Sequence, residues 1–354
     1  VSGISTFSSP NYFVPPSGTT AQRPQNPGEG MIRFNTDSGH LEYYTGTHWA
    51  DVIVNNQDLG DQNNSNSSGG TGHRGLFGGG QNPATNVIDY ITISTLGDAQ
   101  DFGDLTLARG HHAGMSSRTR GAWAAGNPNT NIIDYVTISS TGDALDFGDT
   151  TEARRGVAGA SNQTRGLMAG GFAAASSDVI DYITIAQTGN AVDFGNLSTV
   201  RYSVAGLSSP VRACFGGGAD PKVNTIDYVT IATTGNAIDF GDRTTAQVSA
   251  AGCSSSTRGI WGGGYSPSST NIIDFITIAT TGDALDFGDL TVARDKLSAT
   301  SSPIRGIWAA GATPSTVNTI DYITIASTGN AVDFGDRTIA VDRVTGLSNG
   351  HGGL

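Results

Sequence analysis

A chain of 354 residues is long enough to bury a substantial core as one large or two modest domains. Fifty glycines and a charged fraction of only 14% argue against a helical protein, because glycine weakens helix interiors while suiting tight turns and close strand packing. A formal net charge of −12 repels a phosphate backbone, which sets nucleic acid aside as a partner, and no apolar run reaches the roughly 18 to 20 residues that cross a bilayer.

Lys occurs only at Lys222 and Lys296 and Glu only at Glu29, Glu42 and Glu152, so the acidity is almost entirely aspartate, a turn residue. The N-terminus lacks a basic start followed by an apolar stretch, so a soluble chain without membrane insertion is expected, and its opening on Val1 rather than Met reads as processing or trimming. Residues 1–18 read as an extended segment.

Residues 19–54 alternate apolar and polar positions around an Asp37-Ser38-Gly39 turn and a Tyr44-Thr45-Gly46 turn, which predicts a small β-meander. Its apolar content is Ile32, Phe34, Leu41, Tyr43 and Trp49, too little to stabilise a unit of about 35 residues alone, since domains below about 40 residues need disulfides, metal or oligomerisation. The module is expected to pack on copies of itself, with a trimer favoured, or on a larger assembly, through Ile32, Phe34, Tyr43 and Trp49. Its sequence resembles the short hairpin module of tailed-phage fibre and other virion appendage proteins, on Thr20-Ala21-Gln22-Arg23-Pro24, Gly30-Met31-Ile32-Arg33-Phe34-Asn35 and Glu42-Tyr43-Tyr44-Thr45-Gly46-Thr47 with Trp49. The preceding GISTF is similar to virion proteins of marine cyanobacterial phages. Residues 55–72, rich in Asn, Ser and Gly, have the composition of a flexible linker.

From 73 to 354 the tripeptide Ile-Asp-Tyr/Phe recurs with its Asp at 89, 134, 181, 227, 274 and 321. Around each anchor lie four strand-like pieces, as in RDKLSATSS, RGIWAAG, NTIDYITIA and NAVDFGD between residues 294 and 336. The third piece is rich in β-branched and aromatic residues and reads as a strand buried on both faces, ending in a Thr-Gly-Asp/Asn turn. The second sets a large apolar residue before small ones, Trp123 before Ala124 for example, which lets neighbouring backbones approach.

These pieces resemble kelch repeats, over about four fifths of the chain, departing in Phe rather than Trp on the outer strand and Asp-Tyr rather than Tyr-Asp on the third. The resemblance implies an all-β, six-bladed β-propeller of four-stranded blades. The first repeat begins at Arg74 with its second strand and lacks an inner one, while Val344 to Asn349 form a surplus inner strand. Pairing that surplus strand with the first repeat closes the ring and leaves no exposed edge.

Chemistry finds little purchase. The sixfold aspartates of Asp-Phe-Gly, Asp101, Asp146, Asp193, Asp239, Asp286 and Asp333, could offer oxygen ligands to Ca²⁺, but an identical residue in every repeat is better explained by turns and hydrogen bonds. No glycine-rich loop, His-Arg-Asp or pairing Lys accompanies the Asp-Phe-Gly letters, and no Gly-Lys-Ser/Thr follows the triple glycines. His111 and His112 would point to opposite faces of a strand and are expected in a solvated loop, Cys214 and Cys253 are expected as buried thiols, and Arg74, Arg120, Arg165, Arg212, Arg258 and Arg305 are expected to pair with local carboxylates or carbonyls. No catalytic residue, metal or cofactor is assigned.

The loops joining second to third strands, and outer strands to the next inner ones, differ between repeats and are expected on one face, whereas the opposite turns are nearly uniform. Variation on a repetitive scaffold is where specificity is placed at little cost to the core. The expected binding face includes Phe172, Tyr265, Tyr202, His111, His112, Arg155 and Lys222, suited to stacking on sugars. The expectation is a structural virion appendage protein, a fibre or tail-tip component, partnered by other virion proteins and a host-surface glycan or receptor. The alternatives are a purely structural capsid or tail decoration and a surface-polysaccharide-processing enzyme.

Overall fold

The computed structural model describes residues 15–38, 40–51 and 73–354, and the chain divides into two compact units, 1–65 and 66–354. The expected linker 55–72 and most of the expected extended segment lie outside the described residues. The protein is all-β, with seven four-stranded sheets among the described residues.

In the first unit Ile32–Asn35, His40–Tyr44 and Trp49–Asp51 form an antiparallel meander, and Ser17–Gly18 adds in parallel to its edge. Its burial is inverted. Arg33, Asn35 and Glu42 are enclosed, while Ile32 is 51% and Tyr43 41% exposed. The enclosed face is held by charge: Arg23 Nε and Nη2 donate to the two oxygens of Glu42, at 3.2 and 2.5 Å, and Asn35 donates to Glu42 Oε2 at 3.1 Å. The Arg23 hydrogen bond holds the Glu42 carboxyl below the usual carboxylate range.

Among its described residues the second unit contains six four-stranded antiparallel sheets, one per repeat, and a two-stranded ribbon of Ala312–Thr313 and Ser315–Thr316; Ala205–Ser208, Arg212–Gly216, Thr225–Thr230 and Ile238–Asp242 form a typical four-stranded sheet. In the first repeat the inner position is filled by Thr345–Ser348, which pairs with Arg74–Gly80 across the whole length of the unit. Inner strands neighbour one another in sequence order, and Thr345–Ser348 contacts both Ser298–Ser301 and Ala113–Ser116, so the series returns to its start. These repeated four-stranded sheets fit a β-propeller-like fold.

Apolar packing lies between adjacent sheets. Leu76, Ile88 and Phe102 of one repeat pack with Trp123, Val136 and Ile138 of the next. Trp123, Trp261 and Trp308 are fully buried, and each indole N–H donates to a backbone carbonyl of the preceding inner strand at 3.0 to 3.1 Å.

The Asp-Phe-Gly motif has a geometric explanation. Ile88 pairs with Gly103 and Asp89 with Asp101, so Phe102 is the extra residue of a bulge, turned into the core, and the same shift recurs in every repeat. Gly103 has φ +145, and a Cβ there would sit 2.5 Å from the backbone of Gly142 in the next sheet. That neighbouring turn covers the outer strand's edge: Gly142 N–H donates to the Phe102 carbonyl, and Asp143 accepts from the N–H of Asp104. The motif's first aspartates, such as Asp101, are exposed and accept no side-chain hydrogen bond, so bulge and glycine conformation, rather than carboxylate bonding, account for the repetition. Among the described residues no group of carboxylates, histidines or cysteines could hold a metal ion.

Candidate functional site

Both families of variable loops come together. The outer-to-inner loop of each repeat bridges to a second-to-third loop, as Gly110 with Asn127, Arg155 with Phe172, Tyr202 with Ala219 and Val248 with Tyr265. The guanidinium of Arg155 lies 4.9 Å from the centroid of Phe172, whose ring meets Tyr202 edge-on at 5.5 Å. Arg155 also donates to Asn129 at 3.1 Å. In the neighbouring loops Lys222 Nζ sits 5.6 Å from the Tyr265 ring, which is 42% exposed. Six of the seven expected face residues therefore lie in contact pairs or a triplet on these loops, or at the cavity mouth described next.

His111, Gly156, Ser203, Ser249, Lys296 and Arg343 occupy one equivalent position, immediately before the inner strands, and all six have φ between 54 and 70. Each donates its N–H to the carbonyl of its predecessor, and His111 donates to Arg343, closing a ring of bonds between 2.7 and 3.2 Å. These residues rim a cavity of about 130 Å³ that extends between the inner strands. Three rim side chains carry nitrogen and the other three are small. Arg343 Nε donates to His111 Nε2 at 3.1 Å, which leaves the His111 proton on Nδ1. Burial, and then the nearby Arg343, Arg155 and Lys296, lower the pKa of His111 to about 3, so its ring is neutral at pH 7.

His112 is placed differently from the expected solvated loop. The left-handed turn at His111 drives the chain into the sheet, and the His112 ring is 3% exposed, packed beside Gly79 and Gly126. Burial pushes its pKa well below the ordinary value.

At the other end of the inner strands, Ser116, Ser161, Ser208, Ser254, Ser301 and Ser348 form a second closed set. Each hydroxyl donates to the carbonyl of the preceding serine, and Ser116 donates to Ser348. The C-terminal residues fold across this end: His351 Nε2 lies 3.1 Å from the Ser116 carbonyl and 3.2 Å from Ser161 Oγ, while a Cβ on Gly352 or Gly353 would collide with Ser255 or Ser161.

A third set was not anticipated from the sequence. The Ile-Asp-Tyr aspartates are fully buried, each paired with an Arg from the preceding repeat: Asp134 with Arg109, Asp181 with Arg154, Asp227 with Arg201, Asp274 with Arg243, Asp321 with Arg294 and Asp89 with Arg337, at 2.8 to 3.1 Å. A hydroxyl following each outer strand, such as Ser198 or Thr244, also donates to the carboxylate. Four repeats carry the Arg four residues after a Leu or Thr, as Leu290 and Arg294. Two reverse the order, as Arg243 and Gln247 or Arg337 and Val341, yet every guanidinium reaches the same aspartate. The available signal was an invariant Asp inside an otherwise apolar strand.

The second-strand arginines behave as expected, bonding carbonyls, but those of the next sheet: Arg74 to Ile138 at 3.0 Å and, across the seam, Arg305 to Ile93 at 2.9 Å. Each also lies over the aromatic ring of its own third strand, Arg120 being 4.4 Å from the Tyr135 centroid. Cys214 and Cys253 are free, buried thiols, and burial raises the pKa of Cys214 to about 12. The recurrent polar groups thus tie sheets together, whereas the mouth and its loops are where repeats differ. No protein-family model and no curated protein sequence matches this chain.

Proposed function

We propose that residues 73–354 close as a six-bladed β-propeller, and that the chain is a structural virion appendage protein of a tailed phage, presenting the variable-loop face to a host-surface glycan. Support for closure comes from bonds that return from the last repeat to the first: Ser116 to Ser348, His111 to Arg343, Arg337 to Asp89 and Arg305 to Ile93. The observation that carries the function is the concentration of loop variation between repeats on one face, with Arg155, Phe172 and Tyr202 assembled there in contact. The half-buried rings of Phe172 and Tyr202 and the exposed ring of Tyr265, beside hydrogen-bonding side chains, suit the faces and hydroxyls of sugars.

The first unit supplies the attachment half of this reading. A sheet that buries Arg33 and Glu42 while exposing Ile32, Phe34 and Tyr43 gains stability when its apolar face is covered, and a trimer of such sheets around a common axis is the assembly we favour. Glycan-array binding that is lost in Phe172→Ala or Tyr265→Ala is the expected result. Tight assembly onto particles with no glycan bound would instead identify a decoration protein.

A further inference from the structure

We propose that the cavity mouth rimmed by His111, Lys296 and Arg343 is an oxyanion site, taking the carboxylate or phosphate of an acidic sugar; this inference rests on the glycan-binding reading above.

The six rim positions are equivalent in backbone and unequal in side chain. Lys296, Arg343 and His111 precede three successive inner strands, so the nitrogen-bearing groups occupy one half of the rim, opposite Gly156, Ser203 and Ser249. A left-handed φ favours glycine, Asn, Asp and His, so Lys296 and Arg343 are not selected by the backbone. In a chain with only two lysines and a net charge of −12, one lysine and one arginine meet at this opening.

Part of their donor capacity is unused, although Arg343 Nη1 donates to both oxygens of Asp342 at 3.3 Å. Lys296 Nζ pairs with Asp295 at 3.4 Å, and among the described residues Lys296 Nζ, Arg343 Nη2 and His111 Nδ1–H donate no hydrogen bond. The acids that offset these charges, Asp342 beside Arg343 and Asp295 beside Lys296, are also held from the loop side. Asp342 accepts from Asn82 and Asp295 from Ser269, out in the loops, and neither lines the cavity. Deeper in, Ser298 Oγ is buried, lines the cavity and has no partner. The fall in the pKa of His111, to which three cations contribute after burial and no acid opposes, agrees with a positive potential at the mouth.

About 130 Å³ holds a small head group and not a drug-sized ligand, for which several hundred Å³ are usual. The site therefore grips one charged group while the rest of the ligand lies on the loops, where Arg155, Phe172 and Tyr202 adjoin His111 and Gly156. An acidic peptide offers the same charge, but aromatic rings beside hydrogen-bonding side chains on the adjoining loops favour the glycan.

The test is calorimetric titration of the full chain with a uronate-bearing oligosaccharide, its neutral counterpart, inorganic phosphate and a polyglutamate peptide, at low and high salt. Lys296→Ser and Arg343→Ser are the variants, because Ser203 and Ser249 already occupy the same backbone conformation, and unchanged melting temperatures confirm folding. The acidic oligosaccharide is expected to bind roughly tenfold or more tighter than the neutral one, with the preference weakened by salt and abolished in either variant. Equal binding of acidic and neutral oligosaccharides, or a preference that survives both substitutions, overturns the inference and leaves the glycan reading standing. Binding of phosphate or polyglutamate with no sugar bound overturns the acidic-sugar assignment together with the glycan reading.

Discussion

Replacing Arg243 with Leu, and then adding Gln247→Arg, tests whether the buried Arg–Asp pairs are defined by where the guanidinium arrives rather than by where it starts. Arg243 Nη2 lies 2.9 Å from Asp274 Oδ1 and both side chains are fully enclosed, so the single substitution strands a buried carboxylate. Removing one partner of such a pair costs about 3–5 kcal/mol, and the surviving bond from Thr244 Oγ1 to Asp274, at 3.0 Å, argues for the lower end. Leucine itself fits the space, since Leu105, Leu197 and Leu290 are buried at the equivalent position. A loss of about 3 kcal/mol corresponds to a fall of roughly 6–12 °C in melting temperature for a unit of this size. The double variant recreates the order of Leu290 and Arg294, whose guanidinium is 3.1 Å from Asp321, and should recover to within about 1 kcal/mol of the parent. Urea unfolding of parent, single and double variants measures both differences. A single variant that loses less than about 1 kcal/mol, or a double variant no more stable than the single, would refute the assignment.

Burial depresses the pKa of His351 to about 4, so as pH falls from about 6.5 the unfolded chain takes up a proton that the folded one refuses until about pH 4; stability present above pH 6.5 is lost across that window, by at most about 3 kcal/mol. Thermal melts from pH 7 to 4 should show a shallower decline in His351→Asn, with His111 and His112 supplying the remaining slope. Deleting residues 345–354 removes the strand paired with Arg74–Gly80 and exposes that edge, so the truncated chain is expected to expand or aggregate, read by light scattering; a monomer of unchanged radius would count against closure. Ile32→Glu with Phe34→Glu should convert the assembly to monomers in sedimentation while leaving the melting of residues 73–354 unchanged; a parent chain that is already monomeric would remove the trimer.

Period and composition made the six sheets legible, because an Ile-Asp-Tyr/Phe anchor recurring every 45 to 47 residues fixes the third strand and its neighbours follow by alternation and turn chemistry. The surplus strand at the C-terminus could be placed by counting, and Thr345–Ser348 does pair with Arg74–Gly80. What stayed hidden was set by relations between repeats. Whether Asp227 is a turn residue or a buried partner depends on Arg201, which lies in another repeat, and the exchange of Leu290 and Arg294 for Arg243 and Gln247 reads as drift until both guanidinia are seen to converge on equivalent carboxylates. His112 misleads for a local reason: the left-handed turn at His111 turns a nominally loop-borne ring into the interior.

The two units break expectation in opposite ways, and each departure marks a surface. In residues 73–354 the Arg–Asp pairs and the serine ring repeat in every sheet and bind it to its neighbours, so repetition identifies much of what holds the scaffold; at the rim positions carrying His111, Lys296 and Arg343 equivalent backbones bear unlike side chains. In the first unit the alternation of apolar and polar residues is orthodox, but Arg23, Arg33 and Asn35 gather around Glu42 and claim the interior for the polar face. A charge network enclosed in a small sheet is a weak source of stability, because desolvation offsets most of the attraction, whereas covering Ile32, Phe34 and Tyr43 contributes about 25 cal/mol for each Å² removed from water. The polar interior therefore fixes the geometry of the strands, and the outward apolar face is where covering Ile32, Phe34 and Tyr43 would add stability.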